Sequence, residues 1–300
     1  MERVGERKTL LIVSAFANLK IFSIINKSLS ALCVQNKMQK LHIIKIGGAL
    51  IDDKKSLKAF LEQFSQIEGA KILIHGGGKI AETLAEKLKI TQTMIDGRRI
   101  TNKKTLKLVT MVYAGRINKN IVAKLQSFNC NAMGFSGADG NLIQAEKRQH
   151  PTINFGFVGD INEKSINQEL ITNMINLGLV PVFSAITHDK KGNLLNTNAD
   201  TIAGTIAQAL SKNFETELLF CFDKNGVLEN VEDENSNLKT INKNEFSELK
   251  SQGKLHKGIL PKLENAFKAK ENGVQKVSLI NEKKLSDQIK QGNEGTEICL

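Results

Sequence analysis

The sequence predicts an α/β fold in which a mostly parallel sheet is covered by helices on both faces. Three observations carry that expectation. Short, mainly apolar runs recur at 41–46, 71–75, 179–185, 217–222 and 274–280, and runs of that length without strict polar alternation read as strands buried on both faces. Helix-period segments lie between most of them. Glycines follow the first two runs directly, at Gly47-Gly48 and Gly76-Gly77-Gly78, where a βαβ unit turns from strand into helix.

Taken in order, 41–46 and 71–75 are joined by a helical stripe through Leu57, Phe60, Leu61 and Phe64, which makes a βαβ opening. A long helix is expected over 104–128. Gly and Asn breaks then suggest hairpins among the strand-like pieces 132–135, 142–146 and 155–161. A helix over 168–176 and the strand 179–185 follow. After a turn at Lys190-Lys191-Gly192-Asn193 the alternation resumes with helix 200–210, strand 217–222, helix 260–270 and strand 274–280. That turn marks the boundary between two lobes, 41–195 and 196–300, behind an extension of residues 1–40.

Composition narrows the function classes. With 41% hydrophobic, 24% charged and 3 Pro in 300 residues, the chain has a globular make-up, and no apolar run reaches the roughly eighteen residues of a membrane span. The four cysteines, Cys33, Cys130, Cys221 and Cys299, form no CxxC pair, so neither a zinc site nor a disulfide framework is indicated, and a reducing, cytoplasmic setting fits. A net charge of +11 invites a nucleic-acid reading. Residues 1–40 alone carry +5 of it, however, and only 5% of residues are aromatic, so basic blocks with stacking platforms are lacking. In residues 1–40, Arg7 and Lys8 precede an apolar run at 10–17 that is too short for a good signal core. The same stretch reads as a helix with Lys20, Ser23, Lys27 and Ser30 on one stripe, or as residues upstream of a true start at Met38.

The two glycine clusters stand where backbone N–H groups can approach an anion closely. Tight strand-to-helix turns would use the same residues. Gly76-x-Gly78-x-x-Ala81, with Asp96 about twenty residues on, also satisfies a loose dinucleotide fingerprint, but Asp96 sits in the turn-like Ile95-Asp96-Gly97 rather than at a strand end, and no GxxxxGK[ST] loop occurs. More telling is the ordered set Lys45-Ile46-Gly47-Gly48, His75-Gly76-Gly77-Gly78, Gly97-Arg98-Arg99-Ile100-Thr101, Asn196-Thr197-Asn198-Ala199-Asp200 and Gly258-Ile259-Leu260-Pro261-Lys262. In order and spacing, from Leu41 to the C-terminus, this set resembles the amino-acid kinase family and, within it, the kinases of N-acylated glutamate.

That resemblance implies an αβα sandwich of two lobes that transfers phosphoryl from ATP to the γ-carboxylate of N-acetyl-L-glutamate, an early step of arginine biosynthesis. The same reaction on N-succinyl-L-glutamate, or a non-catalytic arginine sensor, is the alternative. It implies that Lys45 and Lys262 flank the transferring phosphoryl, that Asp200 orients both, and that N–H groups of Gly48 and Gly78 meet its oxygens. Arg99, Asn196, Gly77 and Gly78 would bind the acylglutamate. Gly47, Gly48, Asp223 and Gly226 would join the lysines around ATP, with Mg²⁺ held mainly by the phosphates. Asn198 is expected to order its loop. Arginine-inhibited members carry an additional N-terminal helix that joins dimers into hexamers, so a homodimer or trimer of dimers is implied, with L-arginine as a candidate inhibitor.

Overall fold

A computed structural model describes residues 38–95, 98–230, 232–233, 236–255 and 258–300. The helix expected within 1–40 falls outside them, as does Gly97. Gln39–Leu300 form one compact unit.

Eight strands make the central sheet: β1 (Lys40–Ile46), β2 (Ala70–His75), β5 (Ala132–Phe135), β8 (Val180–Ser184), β11 (Glu215–Phe222), β12 (Thr240–Ile241), β13 (Lys276–Asn281) and β14 (Thr296–Ile298). Their order is β12-β14-β13-β11-β1-β2-β8-β5, and every neighbouring pair is parallel except β13 with β14. β1, β2 and β11 are almost wholly buried along their length, as parallel strands with helices on both faces must be. The chain runs outward from β1 through β2 toward β8, then returns to place β11 on the opposite side of β1. The crevice at the carboxyl ends of β1 and β11 is therefore the topological switch point, the place where open α/β sheets bind ligands.

One helix sets the depth of that crevice. Ala199–Leu210 has eleven buried residues in twelve, because its Ala and Gly positions let it lie between the sheet and the helix Leu260–Glu271. A Cβ on Gly204 would lie 3.5 Å from the Asn265 carbonyl oxygen, so small residues permit the close helix crossing.

The expected strands and the α/β architecture are present, with differences that have local causes. The long helix of 104–128 is an α-helix Lys103–Thr110, a π-helical segment Met111–Ile117 and an α-helix Asn118–Ser127. The pieces at 142–146 and 155–161 are largely irregular: they meet each other as β6 (Glu146–Lys147) with β7 (Gly159–Asp160) and otherwise form isolated bridges, such as Gln144 with His188 and Val158 with Asn196. A hairpin of β3 (Thr93–Ile95) and β4 (Arg98–Ile100) occupies what the sequence marks as a turn. The pair β9 (Ile186–His188) and β10 (Leu194–Asn196) spans the turn at 190–193. Helices at Lys243–Ser251 and Leu285–Gln291 carry too few apolar positions to stand out as periodic.

Candidate active site

Lys45, at the carboxyl end of β1, and Lys262, in the first turn of Leu260–Glu271, converge on one carboxylate. Lys45 Nζ lies 2.6 Å from Asp200 Oδ1 and Lys262 Nζ 3.3 Å from Asp200 Oδ2. The Lys45 contact is a close charge pair, since Asp200 Oδ1 meets no donor in hydrogen-bond alignment, whereas Lys262 donates a hydrogen bond. Asp200 is held by its own helix start: Asn198 caps it, accepting from Asp200 N at 2.8 Å and Thr201 N at 3.1 Å. Burial pushes the Lys45 ammonium below its usual range, partly offset by the charge of Asp200, while Lys262 pushes it further down. Burial would raise the Asp200 carboxyl, but the two ammonium charges outweigh it and hold Asp200 below the usual carboxylate range.

The glycine loops border this centre. Gly47 N donates to Cys221 O at 3.2 Å, tying the end of β1 to β11. Gly48 and Gly78 each begin a helix, where a first-residue N–H has no intrahelical acceptor. Asp52 joins the loops by accepting from Lys79 N at 3.0 Å and Ile80 N at 3.2 Å. Gly77 has a steric reason to be glycine: a Cβ there would lie 1.5 Å from a ring carbon of Tyr113. Beneath the loop, His75 is fully buried, its Nδ1 donating to Gly76 O at 2.9 Å and its Nε2 accepting from Asn118 Nδ2 at 3.0 Å. Burial brings its pKa down to about 4, so the ring is a neutral strut.

A cleft of about 380 Å³ brings together Lys45, Gly48, Gly77, Arg99, Asn196 and Asp200. Arg99 Nη2 bonds Glu82 Oε1 at 2.9 Å, and Nη1 bonds Gln92 Oε1. Asn196 Nδ2 donates to Thr101 Oγ1 at 3.0 Å. Two further residues line this cleft without a sequence signal. Tyr113 is brought in by the π-helical segment, which no apolar periodicity reveals, and Arg148 is aligned by Asp160, with Nε 2.9 Å from its Oδ1.

A second cleft, of about 190 Å³, is lined by Gly47, Gly48, Asp223, Lys262, Leu50 and Glu282, among others. Gly226 does not line it. Its φ of +141° and its approach to β14, where a Cβ would lie 2.5 Å from Thr296 Oγ1, account for that glycine structurally. Gly48 lines both clefts, and Asp200 links the lysine of one to the lysine of the other.

Comparison with known proteins follows the same lines. The model of the amino acid kinase family matches residues 40–281. An acetylglutamate kinase of Parabacteroides distasonis is 46% identical over 261 residues, covering 87% of this chain and all of that protein. One of Methanopyrus kandleri is 34% identical, covering 80% and 95%. Among solved structures, the N-acetylglutamate synthase of Neisseria gonorrhoeae, complexed with coenzyme A and N-acetyl-glutamate, superposes with a TM-score of 0.75 at 19% identity, covering 89% of this chain and 60% of that one. The carbamate kinase of Giardia lamblia bound to AMP-PNP does so at 0.63 and 12%, covering 87% and 98%. At such identities these two speak for the fold.

Proposed function

The chain belongs to the amino acid kinase family, and we propose on that footing that it transfers the γ-phosphoryl group of ATP to the γ-carboxylate of N-acetyl-L-glutamate, giving N-acetyl-L-glutamyl 5-phosphate for arginine biosynthesis. The observation that carries the reading is the meeting of two clefts at Gly48, with one carboxylate bridging a lysine of each.

Phosphoryl transfer asks the protein chiefly for positioning and charge stabilisation. The acceptor is a carboxylate with an ordinary pKa of about 4.3, so it is already ionised at neutral pH and needs no general base. Asp200 accordingly serves the lysines: it offsets the cost of burying Lys45 and points both ammonium groups at the space between the clefts. Lys45 faces the acceptor and Lys262 the nucleotide, and the N–H groups of Gly48 and Gly78 meet the phosphoryl oxygens. Arg99, a planar fork already oriented by Glu82 and Gln92, grips the second carboxylate of the substrate. Asn196 meets its amide portion and Gly77 the γ-carboxylate side, while Asp223 and Gly47 border ATP.

The donor set at the junction of the clefts is cationic and amide, which suits phosphates rather than a bare metal ion. Mg²⁺ carried on the ATP phosphates supplies charge neutralisation at their oxygens. We place the acylglutamate site mainly in 41–195, with Asn196 reaching it from the second lobe, and the ATP site mainly in 196–300, with Lys45, Gly47 and Gly48 contributed by the first. By the same resemblance the protein forms a homodimer in the cytoplasm, and residues 1–40 join dimers into an arginine-inhibited hexamer. Light scattering with arginine titration tests that assembly, and an arginine-indifferent dimer would reject it. The reaction is tested by trapping: with ATP, N-acetylglutamate and hydroxylamine the enzyme should form a hydroxamate, and ADP release without hydroxamate would rule out an acyl phosphate product.

A further inference from the structure

The smaller cleft contains a charge that phosphate chemistry does not explain. Alongside Gly48 and Lys262, which suit phosphate oxygens, stand two carboxylates, Asp223 and Glu282. Glu282 opens the short 3-10 turn Glu282–Lys284 directly after β13. It is 8% exposed, and its Oε2 is buried with no hydrogen-bond donor. A buried acceptor without a donor is costly and calls for a partner. Burial first, and the neighbouring Asp223 charge second, push its carboxyl above the usual range, so the surroundings do not compensate it.

A nucleotide offers such a carboxylate few partners. Its phosphates are anionic and are repelled by two carboxyl groups, so they are confined to Lys262 and the glycine amides. Its donors are the ribose hydroxyls and the N–H groups of the base. The cleft is too small for a whole nucleotide, and the sugar is the part that adjoins the phosphates, so its hydroxyls are the donors within reach of a carboxylate lining the same space as Lys262. Leu50, Phe222 and Ile259 supply apolar wall for the sugar carbons.

We infer that Glu282, with Asp223 beside it, accepts hydrogen bonds from the ribose hydroxyls of the nucleotide and thereby selects ribo- over deoxyribonucleoside triphosphates and fixes the direction in which ATP lies. The inference rests on the kinase reading and adds a specificity-determining residue to it.

The test compares ATP, 2′-deoxyATP and 3′-deoxyATP as phosphoryl donors at saturating N-acetylglutamate. Native enzyme should favour ATP over at least one analogue by about tenfold or more in kcat/KM, the scale of a charged hydrogen bond. Glu282→Ala should collapse that preference to about threefold or less while leaving the KM for N-acetylglutamate unchanged. Glu282→Met, which keeps the volume without an acceptor, serves the same purpose if the alanine variant folds poorly. Calorimetric binding of ADP and 2′-deoxyADP or 3′-deoxyADP to the same proteins reads the discrimination without turnover, so it stands even if the acceptor were misassigned. Native enzyme that uses all three donors equally, variants that retain the native preference, or an effect confined to the Mg²⁺ requirement would each overturn the inference.

Discussion

Two ammonium groups that share one buried carboxylate repel each other, and their convergence is stable only while Asp200 is ionised. The arrangement places positive charge where the proposed reaction would develop an anionic transition state. Replacing Lys45 or Lys262 by Ala should therefore lower kcat about a hundredfold to a thousandfold, roughly 3 to 4 kcal/mol, as losing one preorganised donor does. Near-native turnover in a variant that is folded by circular dichroism would remove that lysine from the mechanism. Arg99 is a different case, because its value lies in shape. Arg99→Lys keeps the charge but not the fork, so the KM for the acylglutamate should rise while the KM for ATP stays put. Initial-rate kinetics with each substrate varied in turn decide it, and an effect on ATP alone would move Arg99 to the nucleotide cleft.

At the scale of elements, the strand ends and the helices after them do the positioning. β2 delivers the buried His75 under the glycine loop. Its folded-state pKa of about 4 lies below the unfolded value near 6.5. Between those values the unfolded chain binds the proton and the folded chain does not, so stability is full above about pH 6.5 and is lost as pH falls toward 4, by about 3 kcal/mol. Urea unfolding across that window should show a steeper loss for the native protein than for His75→Gln; parallel curves would mean that His75 is not the titrating group. The loop above it is packed as tightly. Gly77→Ala must displace the Tyr113 ring, an overpacking that should cost about 1 to 3 kcal/mol. In a Tyr113→Ala background, itself destabilised by loss of the buried ring, Gly77→Ala should cost little further, and additive losses in the double variant would deny the contact.

These elements also mark where sequence reasoning succeeds and stops. Strands β1, β2, β8, β11 and β13 are legible because parallel, doubly covered strands are predominantly apolar runs between glycines and polar turns. That Lys45, Asp200, Lys262, Arg99 and Asn196 would gather at the clefts is foreshadowed by the ordered motifs they belong to. Tyr113 and Arg148 are not, since the first depends on a π-helical shift within a helix and the second on a two-residue strand pair. Glu282 looks like any surface acid after a strand, and only the neighbouring cleft and its orphaned oxygen distinguish it.

At the scale of the whole molecule, the reversal of strand order at β1 creates one crevice with two arms. The larger arm, proposed for the acylglutamate, is bounded by elements from β2, β4 and β10, and the smaller, proposed for the nucleotide, by the ends of β11 and β13 with the start of Leu260–Glu271. The two arms meet at Gly48, so on the proposed reading acceptor and donor would come to that loop from its two sides, the arrangement an in-line displacement requires. The opposite end of the sheet holds a structural cluster instead: Glu217 lies 3.1 Å from His42 Nδ1 and 3.2 Å from Lys40 Nζ. Buried charge is thus placed at both ends of the sheet, at one in the proposed reaction centre and at the other in an ion-pair cluster.

The most direct test of this account is the steady-state rate of ADP formation by the purified full-length protein with ATP and, in turn, N-acetylglutamate, N-succinylglutamate, glutamate and aspartate. Rapid ADP formation is expected with N-acetylglutamate, little with the free amino acids, and a loss of about a hundredfold or more in Lys45→Ala and Lys262→Ala. ADP formation that is independent of any acylglutamate, or undiminished in both lysine variants, would contradict it.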